Sequence, residues 1–323
     1  MGFLSWLLWG SGKSVGDLAE WLGVDVRQLK RLKPEYREFT IPKRSGGVRR
    51  IAAPSDELKR MQRRIGRRLL RGLRAHEAAH GFERNRSIVT NARVHCGQDV
   101  VVRMDLVDFF PSTSARRVHR YFRRIGWNRP AARLLTRLCT HEGGLPQGAP
   151  TSPRLSNLVN YRLDARIAGL VAALGGRYTR YADDLTISFA AEDAEDDWVI
   201  RSGPALPFVL EGHPEKIRYL RSFIRRVAGQ EGYRVHRRKK TSVRRRHHRQ
   251  MVTGLVVNEV VNLPRETRRR LRAIAHRAEQ QKRPLLDADY RPFSYGRRQP
   301  TLTPAQLEGW EALQAMIVRQ RVE

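Results

Sequence analysis

The chain has 323 residues, of which 40% are hydrophobic and 29% charged. This composition excludes a disordered tail and favours a globular protein with a sizeable core. Its 63 Lys and Arg residues exceed its 32 Asp and Glu residues, giving a formal net charge of +31. Because like charges repel one another in a compact fold, this surplus favours a nucleic-acid partner over a merely basic surface.

The N-terminal segment and the cysteines indicate the compartment. Residues 1–10 are apolar but lack the basic start of a signal peptide, and no stretch of the chain approaches the roughly 20 apolar residues of a membrane span. Cys96 and Cys139 have neither disulfide nor zinc-site spacing, which is usual in a reducing cytosol. We therefore expect a cytoplasmic protein with no membrane partner.

The first third of the chain predicts helices on either side of a hairpin. Residues 14–33 carry apolar side chains at helical spacing in two short runs. They predict a helix pair, which either packs against a core or contacts DNA. Residues 41–51 combine short strands with a Gly-rich turn, which predicts a β-hairpin. Residues 55–74 predict a helix with one apolar and one basic face.

The rest of the chain predicts strands and further helices. Residues 100–104 predict a buried strand, and residues 178–188 predict a pair of strands. A helix is expected to begin at Ser152, with this serine as its cap. Two more helices are expected at residues 264–282 and 304–320. The pattern predicts an α+β fold with helical lobes at each end.

Three carboxylates occur where predicted strands end. Asp183 and Asp184 are adjacent in an apolar context, which costs hydration and places like charges together. A divalent cation would offset that cost, and Mg²⁺ prefers oxygen ligands. Asp105 is placed to supply the carboxylate from a neighbouring strand that a two-metal site requires. By itself the Asp183–Asp184 pair fits an ordinary turn equally well. Asp108 is expected to act as a local cap or to make a local hydrogen bond.

A loop rich in glycine and proline precedes the helix expected at Ser152. It runs from Leu145 to Pro153, and it would expose backbone N–H groups and the Gln147 amide to a nucleotide.

Four segments, in this order, resemble the palm motifs of reverse transcriptases. They are DLVDFFPS from Asp105, LPQGAPTSPRLSN from Leu145, YADD from Tyr181 and RKKT from Arg238. Together they cover roughly residues 99–260. The resemblance implies a right-hand polymerase with an antiparallel sheet and helices in its palm. We expect fingers at residues 1–98, the palm at 99–256 and a helical thumb at 257–323.

The resemblance also implies a catalytic centre. Asp105, Asp183 and Asp184, with the backbone carbonyl of Leu106, would bind two Mg²⁺ ions, for which Mn²⁺ would substitute. Lys240 matches a lysine that protonates the leaving pyrophosphate, although a basic run of this kind also suits simple phosphate binding.

Substrate-binding residues are implied in the same way. Phe110 falls where the family has a bulky gate against a 2′-hydroxyl, which predicts dNTP over NTP; the alternative is a core aromatic. Gln147 would contact the nucleotide, and Gly148 would let its backbone approach closely. Arg49 and Arg50 lie in the hairpin that would grip the triphosphate, and strand alternation allows only one of them to point into the site.

Two short motifs are similar to signatures of bacterial retron reverse transcriptases. They are NAxxH at residues 91–95 and VTG at residues 252–254. By this resemblance, RNA recognition would involve Asn91, His95, Val252, Thr253 and Gly254. The alternative for His95 is a buried histidine with satisfied hydrogen bonds.

The retron resemblance implies a specific reaction. The enzyme would be an RNA-directed DNA polymerase that uses dNTPs to copy a structured noncoding RNA. Synthesis would start from an internal RNA 2′-hydroxyl and give a branched RNA–DNA hybrid. The resemblance also implies a role in antiphage defence, with an accessory effector protein as a candidate partner. The alternatives are another bacterial reverse transcriptase class with conventional priming, or a non-catalytic RNA-binding relict.

Overall fold

The computed structural model describes residues 12–43, 46–191, 212–236, 241–281 and 304–322. In chain order its helices are α1 (Val15–Leu22), α2 (Val26–Arg31), α3 (Asp56–Ile65), α4 (Ile88–Arg93), α5 (Phe109–Ser112), α6 (Ala115–Arg124), α7 (Arg129–Cys139), α8 (Ser152–Val159), α9 (Tyr161–Ala173), α10 (Gly212–Gln230), α11 (Arg265–Gln281) and α12 (Pro304–Val322). Its strands are β1 (Tyr36–Pro42), β2 (Val48–Pro54), β3 (Val100–Asp105), β4 (Gly176–Tyr181), β5 (Asp184–Phe189), β6 (Ser242–Arg245), β7 (Met251–Val252) and β8 (Leu255–Val256).

The N-terminal helices form one hydrophobic core. Helices α1, α2 and α3 contribute to it, together with α6, α7 and α8. Ser14 caps α1 in a capping box with Asp17, which fixes where that helix begins. Strands β1 and β2 pair as an antiparallel hairpin beside this core. The predicted helix pair and hairpin are therefore both present.

A four-stranded antiparallel sheet forms the centre of the molecule. Its strand order is β4-β5-β3-β6. One face packs on α9 and α10 through Val102, Leu185, Ile187 and their neighbours. The combination of an antiparallel sheet with surrounding helices confirms the predicted α+β class. No helix in the described part of the chain combines the length and hydropathy that a bilayer span requires.

The opposite face of the sheet carries a third core. Val101 lies on this face and joins apolar side chains from α4 and from the β7–β8 hairpin. The C-terminal helices reach the same cluster, with Ile317 of α12 buried and Leu271 of α11 packed against it. The segment from α4 and the C-terminal helices thus meet on one side of the sheet.

The helix predicted at Ser152 differs from the expectation in two respects. Thr151 occupies the cap position, and the Ser152 hydroxyl instead donates to the Pro146 carbonyl at 2.7 Å, which closes the preceding loop. The helix that begins at Ser152 ends after one short run, because α8 stops before Asn160 and a second helix, α9, begins at Tyr161. The Ser152 hydroxyl therefore makes a tertiary contact, which the local sequence pattern does not predict.

A buried ion pair joins α9 to β4. The Arg180 guanidinium donates to both carboxylate oxygens of Asp164, at 2.8 and 2.7 Å, and both side chains are fully buried. Tyr178 donates to the same carboxylate at 2.9 Å. Burial and the nearby Asp164 charge raise the pKa of Tyr178 well above its usual value, so the phenol stays protonated.

Candidate active site

The sheet register brings the predicted acidic residues together. Asp105, the last residue of β3, pairs directly with Asp184, the first residue of β5, and the Cβ atoms of such opposed residues lie about 5 Å apart. The carbonyl of Asp183 accepts a hydrogen bond from the Leu106 N–H at 3.0 Å. All three aspartates therefore lie at the same end of the sheet.

The turn that carries Asp183 is held from two sides. Ala182 adopts a left-handed backbone, with φ of 56°, and its carbonyl accepts from Arg180 Nη1 at 3.1 Å. On the other side Gly81 packs so closely that a Cβ there would lie 2.7 Å from the Ala182 nitrogen. The buried ion pair of Arg180 thus also supports the candidate catalytic turn.

Two basic side chains that were not among the predicted site residues contact the acidic cluster. Arg103 Nη2 lies 2.5 Å from an Asp184 oxygen, and His236 Nε2 lies 3.4 Å from an Asp105 oxygen. A sequence signal existed for Arg103, because it precedes Asp105 by two residues in a strand and must share its face. His236 reaches the site through the chain segment that pairs with Leu106.

The donor set suits a hard divalent cation. Three carboxylates and a backbone carbonyl offer oxygen ligands, as Mg²⁺ prefers. A second group of potential metal ligands lies elsewhere among the described residues. It consists of Glu38, His141 and Glu142, whose ligand atoms lie within 4.8 Å of one another. Arg50 forms ion pairs with both of those glutamates, so that group is an ion-pair network on the surface.

Phe110 and Asp108 lie directly beyond Asp105. Phe109 is buried and stacks on Tyr233, whereas Phe110 is half-buried and lies next to Phe82, with ring centroids 5.9 Å apart. Asp108 has a left-handed backbone at the cap position of α5, but its side chain makes no capping hydrogen bond. Of the two roles expected for Asp108, a side-chain cap is therefore excluded in this structure.

The loop before α8 packs against the β1–β2 hairpin. The Gln147 carbonyl accepts from the Ala52 N–H at 2.9 Å. Gly148 has φ of 132°, and a Cβ there would lie 2.9 Å from the Ala52 carbonyl oxygen. Contact with β2 already requires glycine at position 148, in addition to any approach of a nucleotide. The Gln147 side chain is half-buried.

The hairpin distinguishes its two arginines. Arg50 forms ion pairs with Glu38 at 2.6 Å and with Glu142 at 3.2 Å. Arg49 is exposed and, by strand alternation, shares a face with Ile51. The Ile51 side chain lies against the loop at Gly148, so Arg49 is on the face that looks toward the loop. Lys240 lies outside the described residues.

His95 is buried between strands and exposes no atom to an RNA. Its Nδ1 lies 2.7 Å from the Ser188 hydroxyl of β5, and its Nε2 lies 2.8 Å from the Thr179 hydroxyl of β4. Burial lowers the pKa of His95 to about 3, so the imidazole is neutral and can donate from one nitrogen while it accepts at the other. This geometry fits the buried alternative. The side chain of His95 is not accessible to an RNA, and a part for this residue in RNA recognition stays a prediction.

The two short motifs form one structural unit. Asn91 and Val252 are fully buried, so a direct RNA contact by either side chain is excluded in this conformation. The Thr253 hydroxyl donates to the Ile88 carbonyl at 3.0 Å, and this bond ties the β7–β8 turn to α4. Gly254 is exposed at the tip of that turn, and it is the member of the set with the most accessible backbone.

We expect a His95→Gln variant to lose part of the acid sensitivity of the fold. Because the pKa of His95 is lowered, its neutral form stabilises the fold fully above pH ~6.5, and this contribution is lost as the pH falls toward 3. Glutamine can donate and accept in the same place without titrating. Thermal melts from pH 7 to pH 4 should show a smaller fall in Tm for His95→Gln than for the unmodified chain, and equal falls would contradict the assignment.

Comparison with known proteins identifies relatives. A family model described as "Reverse transcriptase (RNA-dependent DNA polymerase)" matches residues 41–252. The retron Mx162 reverse transcriptase of Myxococcus xanthus is 39% identical over 295 residues, 81% of this chain and 58% of the relative. The retron Mx65 enzyme of that organism is 40% identical over 286 residues, 80% of this chain and 62% of the relative.

The retron Ec86 reverse transcriptase of Escherichia coli is 36% identical over 244 residues, 75% of this chain and 69% of the relative. Among solved structures, a telomerase from Candida albicans in complex with a telomeric RNA fragment aligns with a TM-score of 0.49 at 11% identity, covering 92% of this chain and 57% of that one. The chain thus spans 58% and 62% of the two Myxococcus relatives. From the family match over more than half of its residues and the Ec86 likeness, the chain belongs to the reverse transcriptase family and, within it, to the retron reverse transcriptases.

Proposed function

We propose that this chain is an RNA-directed DNA polymerase whose catalytic residues are Asp105, Asp183 and Asp184. The observation that carries the proposal is the register that sets Asp105 opposite Asp184, with Asp183 adjacent in a held turn. The net charge of +31 suits a polyanionic template. A relict binding protein would have no use for three carboxylates gathered at one end of a sheet, where each repels the others.

The three carboxylates and the Leu106 carbonyl would hold two Mg²⁺ ions, whose chemistry when bound would be Lewis-acid activation of the primer hydroxyl and stabilisation of the charge on the leaving pyrophosphate. Arg103 forms an ion pair with Asp184 and offsets its negative charge. Phe110 would exclude a 2′-hydroxyl from the sugar site, and the Gln147 amide would contact the nucleotide. Lys240 would supply the proton to the pyrophosphate.

We assign the triphosphate contact to Arg49 and a supporting role to Arg50. Arg49→Gln should therefore raise the KM for dNTP by about tenfold or more, because a charge-assisted phosphate contact is lost. Arg50→Gln is the matched control, since Arg50 is already paired with Glu38 and Glu142. Steady-state dNTP titrations on one primer-template measure both variants, and a larger KM effect at Arg50 would reverse the assignment.

The proposed RNA partner and mode of priming are supported by the likeness to retron reverse transcriptases. The chain would bind a structured noncoding RNA, start DNA synthesis from an internal 2′-hydroxyl and make a branched RNA–DNA hybrid. It would act in antiphage defence together with an accessory effector. Residues 1–98 would form the fingers, 99–256 the palm and 257–323 the thumb. Helix α4 precedes the palm boundary, and His95, two residues beyond the end of this helix, contacts the Ser188 and Thr179 hydroxyls of the palm sheet.

The test is the nucleic acid that co-purifies with the protein from cells that carry its own neighbouring DNA. On a denaturing gel, a discrete DNA band that releases its RNA only after debranching enzyme would support the branched product. The band should be absent for Asp183→Asn. RNA without attached DNA would point to conventional priming or to a binding protein, and a dNTP incorporation assay separates those two.

A further inference from the structure

An exposed aromatic side chain lies in a strained backbone beside the catalytic turn. Phe82 has φ of 64°, a left-handed conformation that side-chain-bearing residues rarely adopt and that costs free energy. The residue is nevertheless 45% exposed, so core packing does not account for the strained backbone. Strain of this kind persists only where the neighbouring structure imposes it.

The residues on either side of Phe82 are held by α8. Asn157 donates to the Gly81 carbonyl at 2.7 Å and to the Glu83 carboxylate at 2.8 Å, and it is fully buried. Arg154 forms an ion pair with the same glutamate. Because both neighbours are fixed, the backbone of Phe82 has no freedom to relax, and its ring is directed outward in a defined position.

That position lies between two residues of the candidate active site. The Phe82 ring centroid is 5.9 Å from that of Phe110 and 6.4 Å from that of Tyr181, the residue before the catalytic turn. Gly81 contacts the turn itself at Ala182. An exposed ring is therefore held where the sugar and the base of an incoming nucleotide would lie under the proposed function.

We propose that Phe82 is an aromatic platform against which a nucleobase of the nascent base pair packs. The inference rests on the proposed polymerase function and adds a specific nucleotide contact to it. A flat ring suits this role because every base presents a π-face, so the contact stabilises all four nucleotides alike. The setting beside carboxylates and arginines excludes a lipid or an apolar protein segment as the occupant, since either would leave those charges buried and unsolvated.

The experiment is a series at position 82, with changes to Tyr, Trp, Leu and Ala. Phe82→Leu keeps apolar bulk but removes the flat ring, so it separates stacking from simple filling of space. Phe82→Ala and Phe82→Leu should raise the KM for each dNTP about 5- to 100-fold, with kcat changed much less. Phe82→Tyr and Phe82→Trp should remain near the unmodified chain. Tyr161→Ala, at a position 44% exposed, is the matched control and should change nothing.

A second measurement does not depend on turnover. With a dideoxy-terminated primer no bond forms, and dNTP-dependent stabilisation of the protein–primer-template complex reports binding alone. If the unmodified chain shows neither incorporation nor dNTP-stabilised complex, the proposed polymerase function fails. If it shows both and Phe82→Leu and Phe82→Ala match it in KM and in complex stability, the platform is refuted while the polymerase stands. Thermal melts of each variant confirm that it is folded.

Discussion

An Asp183→Asn variant should lose several orders of magnitude in the rate of DNA synthesis while it retains its affinity for RNA. The amide is nearly isosteric but uncharged, so it is a far poorer ligand for a hard cation. The backbone bond from the Leu106 N–H to the carbonyl of residue 183 is unaffected by the change, and the turn should keep its shape. Single-turnover primer extension and filter binding of RNA measure the two properties separately.

Asp183 is a cleaner test than Asp184. Changing Asp184 would also remove the partner of Arg103, so a loss of activity there would mix two effects. Asp56→Asn is the matched control, because Asp56 is an exposed carboxylate in the first turn of α3. Undiminished synthesis by Asp183→Asn would overturn the assignment of the catalytic centre.

An Asp164→Ala variant should lower the free energy of unfolding by about 3–5 kcal/mol, because it leaves the Arg180 guanidinium buried without its counter-charge. Urea denaturation followed by circular dichroism measures the change. Glu266→Ala is the control: its ion pair with Arg249 is exposed, and such pairs contribute little to stability. A loss at Asp164 no larger than that at Glu266 would contradict the buried pair.

The same pair separates stability from catalysis. A double variant, Asp164→Leu with Arg180→Met, removes both charges and should recover much of the lost stability, since buried ion pairs are often replaceable by apolar side chains. It should nevertheless remain poor in DNA synthesis, because the Ala182 carbonyl loses its donor from Arg180. Full recovery of synthesis would show that the turn does not need this bond.

Much of the candidate site could be predicted from local sequence. Asp105 ends β3 and Asp184 begins β5, and the apolar runs of both strands are visible in the sequence. The turn at Ala182 and Asp183 joins β4 to β5, within the strand pair predicted at residues 178–188. The hairpin before residue 55 follows from its short strands and Gly-rich turn, and the helices near residues 264–282 and 304–320 follow from local sequence as well. These features depend on neighbours a few residues away, which periodicity and capping record directly.

Other features depend on contacts between distant parts of the chain. The buried His95 finds its hydrogen-bond partners in hydroxyls more than 80 residues further along the chain. The strained Phe82 is held by a helix more than 70 residues away. Arg49 and Arg50 are adjacent and have the same sequence context. The ion pairs of Arg50 with two glutamates show which face of the hairpin each arginine occupies.

Local sequence predicted the β-hairpin, the strands next to Asp105, Asp183 and Asp184, and the family. The packing of whole elements pairs Asp164 with Arg180, brings Arg103 and His236 to the carboxylates of Asp184 and Asp105, and buries the NAxxH histidine. The physical reason is that local periodicity fixes which face of an element is apolar, whereas the partner of each polar group is set by how whole elements pack against one another.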